Sequence, residues 1–134
     1  KYNLKVVIST YEEVGFGSSC IPKVDEFLAV DMGCVGEHLE GSEEKVSICA
    51  KDSGGPYNYE MNTKLINIAK ELNLDFAVDI FPYYSSDVTA ALKAGHNIKG
   101  ALIGSGVAAS HGMERTHLKG IINTFELLKA YILK

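Results

Sequence analysis

Five short apolar runs, each of six or seven residues, do most to limit what this chain can fold into. They occupy residues 4–10, 26–31, 45–50, 75–81 and 99–104. Most of these runs are rich in β-branched or aromatic residues, and they end at polar, charged or glycine positions. That is the pattern of a strand buried on both faces of a sheet. The runs therefore predict five strands, of which the first two are expected to be buried.

Apolar residues at helical spacing lie between and after the later runs. From residue 58 to residue 72 they fall on one helical face, at Met61, Leu65, Ile68, Ala69 and Leu72. Asn73 is a stop signal for this helix. A last helix is predicted over 117–133, with an apolar stripe at Ile121, Ile122, Phe125, Leu128 and Ile132.

A third helix is predicted over 87–94, where Ser85 or Ser86 is placed to cap its start and Gly95 to end it. Strands thus alternate with helices in the second half of the chain. This order predicts an α/β fold, with a mixed, mostly parallel sheet flanked by helices. In such folds ligand-binding residues follow the carboxyl ends of the strands.

Composition limits the class of protein further. A length of 134 residues, with 46% hydrophobic and 22% charged residues, fits one core better than two independent domains. The net charge is -4 and the 13 Lys and Arg residues are scattered, so we expect no nucleic-acid partner. No apolar stretch approaches the roughly 18 residues of a membrane span, so we expect no membrane partner.

The cysteines bear on where the protein is located, and the first residue bears on whether the chain is a fragment. Cys20, Cys34 and Cys49 are odd in number and form no CxxC pair, which favours reduced thiols and a cytoplasmic location. The chain opens on Lys1 and enters its first apolar run almost at once. Such a start indicates a fragment.

Carboxylates follow the first two apolar runs. Glu12 and Glu13 come directly after the first, where charge must be solvated, paired or metal-bound. On an extended backbone their side chains point apart, which suits one metal ligand and one general base. A solvated pair at the start of a loop is the commoner alternative. Asp31 ends the second run and is either a metal ligand or a cap on its own backbone turn.

A loop before the last helix holds His111 and His117, with Glu114 between them. An imidazole beside a carboxylate is a common ligand arrangement, although this spacing is not the HExxH of the zincins. His111 is expected to share one edge of the sheet with Asp31 and the two glutamates, and this ligand mixture suits Zn, Co or Mn. The chain has no GxGxxG motif, which argues against a nucleotide cofactor, and no GxSxG motif, which argues against a serine hydrolase.

Five segments, in order along the chain, carry a family resemblance. They are STYEEVG at 9–15, AVDMGCVGE at 29–37, SICAKDSGGPYNY at 47–59, YYSSDVTAAL at 83–92 and SHGMERTH at 110–117. Their order and spacing resemble the cytosolic dinuclear aminopeptidases of the glutamyl and deblocking aminopeptidase family, which includes the tetrahedral TET peptidases.

The resemblance implies a role for each candidate residue. The first carboxylate of the pair, Glu12, is implied to be the general base, and Glu13 a metal ligand. Asp31 is implied to bind the other metal ion. The last ligand is a histidine in the loop before the final helix, and alignment backward from that helix selects His111 over His117. This loop departs from the commoner form in the family.

The resemblance also implies an aminopeptidase with two divalent metal ions, a peptide substrate and a homo-oligomeric assembly. In the family an early His, a bridging Asp and an inserted oligomerisation domain precede the segment seen here. Residues 1–134 are therefore expected to be the C-terminal part of the catalytic domain, inactive alone. The alternatives are a non-catalytic peptide- or metal-binding module, a glucanase, or a purely structural α/β domain.

Overall fold

The structure is a computed structural model that describes residues 3–134. Within these residues the strands are β1 (Glu26–Cys34), β2 (Val46–Asp52), β3 (Gly55–Pro56), β4 (Phe76–Phe81) and β5 (Lys99–Val107). The helices are α1 (Tyr59–Glu71), α2 (Asp87–Lys93) and α3 (Leu118–Leu133), and a single 3-10 turn spans Glu12–Val14.

The strands form one mixed sheet. Their order is β1-β5-β2-β3, and β4 also pairs with β2. β1 and β5 are parallel, as are β2 and β4, whereas β2 runs antiparallel to β5 and to β3. The predicted α/β fold with a mixed sheet and flanking helices is confirmed. The two parallel pairs run in opposite directions. The carboxyl ends of β1 and β5 therefore lie at one end of the strands, and those of β2 and β4 lie at the other.

The helices pack on both faces of this sheet. α1 and α3 cover one face, and their buried residues form one cluster with Val46, Ile48, Ala101 and Ile103. α2 covers the other face, where Val88 packs with Ala29, Cys49, Tyr57, Phe81 and Leu102. Neighbouring residues of β5 belong to different clusters because successive side chains of a strand point to opposite faces.

The predicted helix boundaries agree with the structure. The Asn58 side chain caps α1 by accepting a hydrogen bond from the Met61 N–H at 3.0 Å. Of the two serines that could cap α2, Ser86 does so, accepting from the Val88 N–H at 3.2 Å. Gly95 follows α2 with a φ of 93°, a left-handed conformation that glycine adopts without strain.

The prediction of a buried strand over residues 4–10 is wrong for this chain. This segment pairs with none of the described strands, and Leu4, Val6 and Ile8 are 57%, 80% and 89% exposed. An apolar β-branched run indicates a segment that favours burial, but a strand also needs a neighbour with a free edge. Within residues 3–134 no strand takes that place beside it.

The predicted apolar stripe of α3 is wrong for three of its five residues, because the helix is rotated from the expected orientation. Leu128 and Ile132 are partly buried, and Leu128 packs against the core. Ile121, Ile122 and Phe125 are about half exposed, and the buried residues are instead Gly120, Asn123, Thr124, Leu127 and Tyr131. The backbone before β2 lies against the helix and determines this orientation. A Cβ atom on Gly120 would lie 2.2 Å from the Glu43 carbonyl oxygen.

A side-chain hydrogen bond holds the same backbone against α3. The Asn123 side-chain amide donates to the Glu44 carbonyl oxygen at 2.9 Å. Small and polar residues therefore occupy the inner face of the helix, since they must accept a neighbouring main chain rather than apolar side chains. None of the helices within the described residues has the length and apolar character needed to cross a bilayer.

The orientation of α3 predicts which apolar residue stabilises the chain. Leu127 is fully buried, whereas Phe125 is 58% exposed. Leu127→Ala should lower the free energy of unfolding by about 2–5 kcal/mol, and Phe125→Ala by less than about 1 kcal/mol. Urea unfolding of the 134-residue chain measures both. A larger loss for Phe125→Ala would favour the stripe predicted from the sequence.

The burial of Cys49 predicts its reactivity. Burial raises the pKa of the Cys49 thiol to about 12, while Cys20 is exposed. A raised pKa leaves less of the reactive thiolate at a given pH, so iodoacetamide at about pH 8 should modify Cys20 and spare Cys49. Mass spectrometry before and after addition of urea tests this. Equal modification of both cysteines in the native protein would contradict the predicted burial.

Candidate active site

Glu12 and Glu13 lie on the 3-10 turn that follows the exposed segment. Gly15 ends this turn with a φ of 79°, and its N–H donates to the Glu12 carbonyl oxygen at 2.8 Å. The backbone here is a 3-10 turn and not the extended strand end for which the two side chains were predicted to point apart. Glu12 is half-buried, whereas the Glu13 side chain is 74% exposed.

The Glu12 carboxyl faces other carboxylates. Burial raises its pKa above the ordinary value for a glutamate. The negative charges of Asp31, Asp87 and Glu13 add to this rise, and His111 opposes it. Each neighbouring carboxylate makes the ionised form of Glu12 less favourable. The structure therefore brings Glu12 together with the other residues predicted for the site.

His111 lies beside Glu13. Its Nε2 atom is 3.1 Å from Glu13 Oε2. The backbone of His111 has a φ of 63°, and Glu114 accepts a hydrogen bond from its N–H at 2.9 Å. His117 has a different role, since its Nδ1 atom accepts the Lys119 N–H at 3.1 Å and caps α3. Of the two histidines weighed for the site, the structure thus brings His111 to the glutamate pair.

Asp31 lies on β1, which continues to Cys34, so its side chain bonds to the neighbouring backbone within the strand rather than capping a turn. Its Oδ1 atom accepts the Met32 N–H at 2.7 Å, which leaves Oδ2 for another partner. A Cβ atom on Gly104 would lie only 2.0 Å from the Asp31 carbonyl oxygen and 2.8 Å from Met32 Cα. The absence of a side chain on Gly104 therefore permits the course of β1 at Asp31.

Asp87 and Tyr84 also belong to this site, although neither was assigned a role from the sequence. The Asp87 Oδ1 atom is buried and has no hydrogen-bond partner in the described residues. The Tyr84 hydroxyl is also buried and lies beside the Asp31 carboxylate. Burial raises the pKa of Tyr84, and the nearby Asp31 carboxylate adds to the rise. The one sequence signal for Asp87 was its place in the polar segment that follows β4.

The site residues supply donors suited to a metal ion but do not complete a metal site. Carboxylate oxygens and an imidazole nitrogen suit Zn, Co or Mn. Among the residues that the structure describes, however, no three His, Cys, Asp or Glu side chains converge closely enough to hold an ion. The contact of Glu13 with His111 is a pair of potential ligands. In this arrangement a metal ion needs further donors.

A buried network supports the segment that carries Asp87. The Tyr57 hydroxyl donates to Asp52 Oδ2 at 2.6 Å and lies 2.8 Å from Ser86 Oγ. Because a tyrosine hydroxyl has one proton, Ser86 must donate to Tyr57. The Ser86 oxygen still accepts the Val88 N–H. The start of α2 is therefore tied to the end of β2.

Removal of the Tyr57 hydroxyl should destabilise the chain. Tyr57→Phe leaves the Ser86 hydroxyl without an acceptor and removes one donor from the buried Asp52 carboxylate, at a cost of about 1–3 kcal/mol. Tyr59 is 82% exposed and provides the matched control, since Tyr59→Phe should change stability by less than about 0.5 kcal/mol. Urea unfolding compares the two. Equal effects would show that the network does not stabilise the fold.

Comparison with known proteins identifies the family. The sequence profile of the M42 glutamyl aminopeptidase family matches residues 1–127. YhfE of Bacillus subtilis (strain 168), an aminopeptidase by name, is 44% identical over 133 residues, which cover 98% of this chain and 38% of YhfE. The chain thus spans less than half the length of this relative.

Solved structures share the fold. The TET1 peptidase of Pyrococcus horikoshii, a dodecamer, matches with a TM-score of 0.78 and 19% identity over 92% of this chain and 39% of its own. Aminopeptidase APDkam598 of Desulfurococcus kamchatkensis matches with a TM-score of 0.70 and 17% identity, over 81% and 34% of the two chains. The family profile and the 44% identity to YhfE decide the assignment: the chain belongs to the M42 glutamyl aminopeptidase family.

Proposed function

We propose that the intact protein is a metal-dependent aminopeptidase, which removes N-terminal residues from peptides by attack of water at a two-metal centre. The position of Glu12 supports this most strongly. Burial and three other carboxylates raise the pKa of its carboxyl, and a single histidine opposes them. Such a concentration of negative charge is unfavourable without cations nearby. Family membership and the relative named as an aminopeptidase agree with it.

In this proposal Glu12 is the general base. It is the half-buried member of the pair, and a carboxyl with a raised pKa holds a transferred proton more readily than an ordinary glutamate. It takes the proton of the attacking water and passes it to the amine that leaves. Divalent ions, when bound, would lower the pKa of that water toward about 7.

Glu13, Asp31 and His111 are the proposed metal ligands from this chain, and the ions are Zn, Co or Mn. Glu13 and His111 are in contact, so they can be held close to one ion. Asp31 keeps one carboxylate oxygen free of its bond to the Met32 N–H, and that oxygen can bind a second ion. The carboxylate and imidazole donors suit these metals.

The proposal includes the place of this chain in a larger protein. Residues 1–134 are the C-terminal part of the catalytic domain, and the remaining ligands and an inserted oligomerisation domain lie elsewhere in the protein. These residues alone are inactive, since the described part holds no set of three potential ligands. The intact protein is a homo-oligomer in the cytoplasm. TET1, which has the same fold, is a dodecamer.

A non-catalytic peptide- or metal-binding module is the second candidate. The lack of three converging ligands in the described residues favours the loss of catalysis, since a two-metal centre needs more donors than these residues supply. The two candidates differ in turnover. An intact protein that binds metal and peptide but does not cleave an aminoacyl-anilide would be such a module.

Substitution of the glutamate pair tests the proposal in the intact protein. Glu12→Gln should lower kcat by at least about 10²-fold and leave the metal content unchanged, because it removes a base and not a ligand. Glu13→Ala should lower the metal content itself. Metal analysis and an aminoacyl-anilide assay separate these results. Normal turnover by Glu12→Gln would rule out the base assignment.

The two histidines provide a matched pair. His111→Ala should lower both metal content and turnover, since the imidazole beside Glu13 is lost. His117→Ala should affect mainly stability, by about 1 kcal/mol, because it removes only a helix cap. The same two assays, with urea unfolding, distinguish them. Loss of metal in His117→Ala alone would transfer the ligand role to His117.

A further inference from the structure

Gly17, Glu12 and Asp87 meet at one point between the glutamate turn and α2. A Cβ atom on Gly17 would lie 2.2 Å from Asp87 Oδ1, 2.9 Å from Glu12 Cα and 3.0 Å from Glu12 N. Atoms of both segments therefore fill the space that a side chain at residue 17 would occupy. The backbone of the proposed base is packed against the carboxylate of Asp87.

Asp87 rests on a fixed support on its other side. It is the first residue of α2, directly after Ser86, whose hydroxyl caps the helix and bonds to Tyr57. Tyr57 in turn donates to the buried Asp52 on β2. This series of hydrogen bonds fixes the position of Asp87 relative to the sheet. The contact at Gly17 then connects Asp87 with the turn.

The burial of Asp87 Oδ1 requires an explanation. This atom has no hydrogen-bond partner within the described residues, although a buried polar atom without a partner is destabilising. A small apolar residue would fill the same region without that cost. A role that depends on this side chain would account for its presence.

We propose that Asp87 is a positioning residue for Glu12. Its side chain packs into the gap at Gly17 and sets where the glutamate turn stands relative to Asp31. The inference rests on the proposed function, because Glu12 matters as the base. A shift of about 1 Å in a catalytic group can reduce turnover about 10²-fold, so a packing contact of this kind has a measurable effect.

Gly17→Ala in the intact protein is the first test. The new methyl group would displace both Asp87 and the Glu12 backbone, so kcat for an aminoacyl-anilide should fall at least about tenfold. KM should stay within about twofold of wild type, and the metal content should not change. Gly36→Ala is the control, because its Cβ would meet only Leu39 Cδ1, at 3.8 Å.

Substitution of Asp87 distinguishes shape from charge. Asp87→Asn keeps the shape of the side chain and should retain several-fold more of kcat than Asp87→Ala, which should lower it about tenfold. In the Gly17→Ala background, Asp87→Ala should add little further loss, because the two residues act through one contact. Losses that multiply, or an Asn variant as impaired as the Ala variant, would overturn the inference.

Hydrogen exchange of the backbone amides in residues 12–17 gives a readout independent of turnover. Gly17→Ala and Asp87→Ala should accelerate this exchange, and Asp87→Asn and Gly36→Ala should not. Unchanged exchange in all four variants would overturn the positioning role. A wild-type protein without turnover would instead overturn the proposed function, and the exchange rates would still decide the role of Asp87.

Discussion

Three residue pairs between β2 and β5 hold the sheet together. Val46, Ser47 and Ile48 pair with residues 103–105, and this short antiparallel ladder joins the β1–β5 pair to the β2–β4 pair. Val46, Ile48 and Ile103 of this junction are fully buried and belong to the core cluster under α1 and α3. Without it the two parallel pairs would be separate, and neither pair alone has enough apolar surface for a stable domain.

The candidate site depends on the same junction. One parallel pair carries Asp31 and, through the loop after β5, His111. The other pair carries Asp52 and the segment leading to Asp87. Because the pairs run in opposite directions, these residues do not follow strand ends at a single edge of the sheet. Charges from both pairs nevertheless act on Glu12, because Asp31, His111 and Asp87 all influence its pKa.

Much of this arrangement could be predicted from the sequence, because local signals specify it. Four of the five apolar runs became strands, and the caps at Asn58 and Ser86 set the starts of their helices. The inner face of α3 could not be predicted, since the main chain at residues 43–44 decides it through Gly120. Hydrophobic periodicity shows which residues favour burial, but not where a distant backbone will pack.

The sequence likewise predicted some residues of the candidate site and missed others. Acidic residues after apolar runs are visible in a sequence, and that signal, with the family resemblance, led to Glu12, Glu13 and Asp31. The contact of Asp87 with Gly17 has no such signal. The two residues are 70 positions apart, and Asp87 can approach only because Gly17 has no side chain. Close approaches between loops follow from tertiary packing.

The exposed segment at residues 4–8 favours self-association of this chain in vitro. It combines β-branched residues, one charge and no proline, and its backbone pairs with none of the described strands. An accessible segment of this composition can pair with copies of itself and begin aggregation. A charged residue in place of the 89% exposed Ile8 would oppose that self-pairing, as gatekeeper residues do beside apolar strands in other proteins.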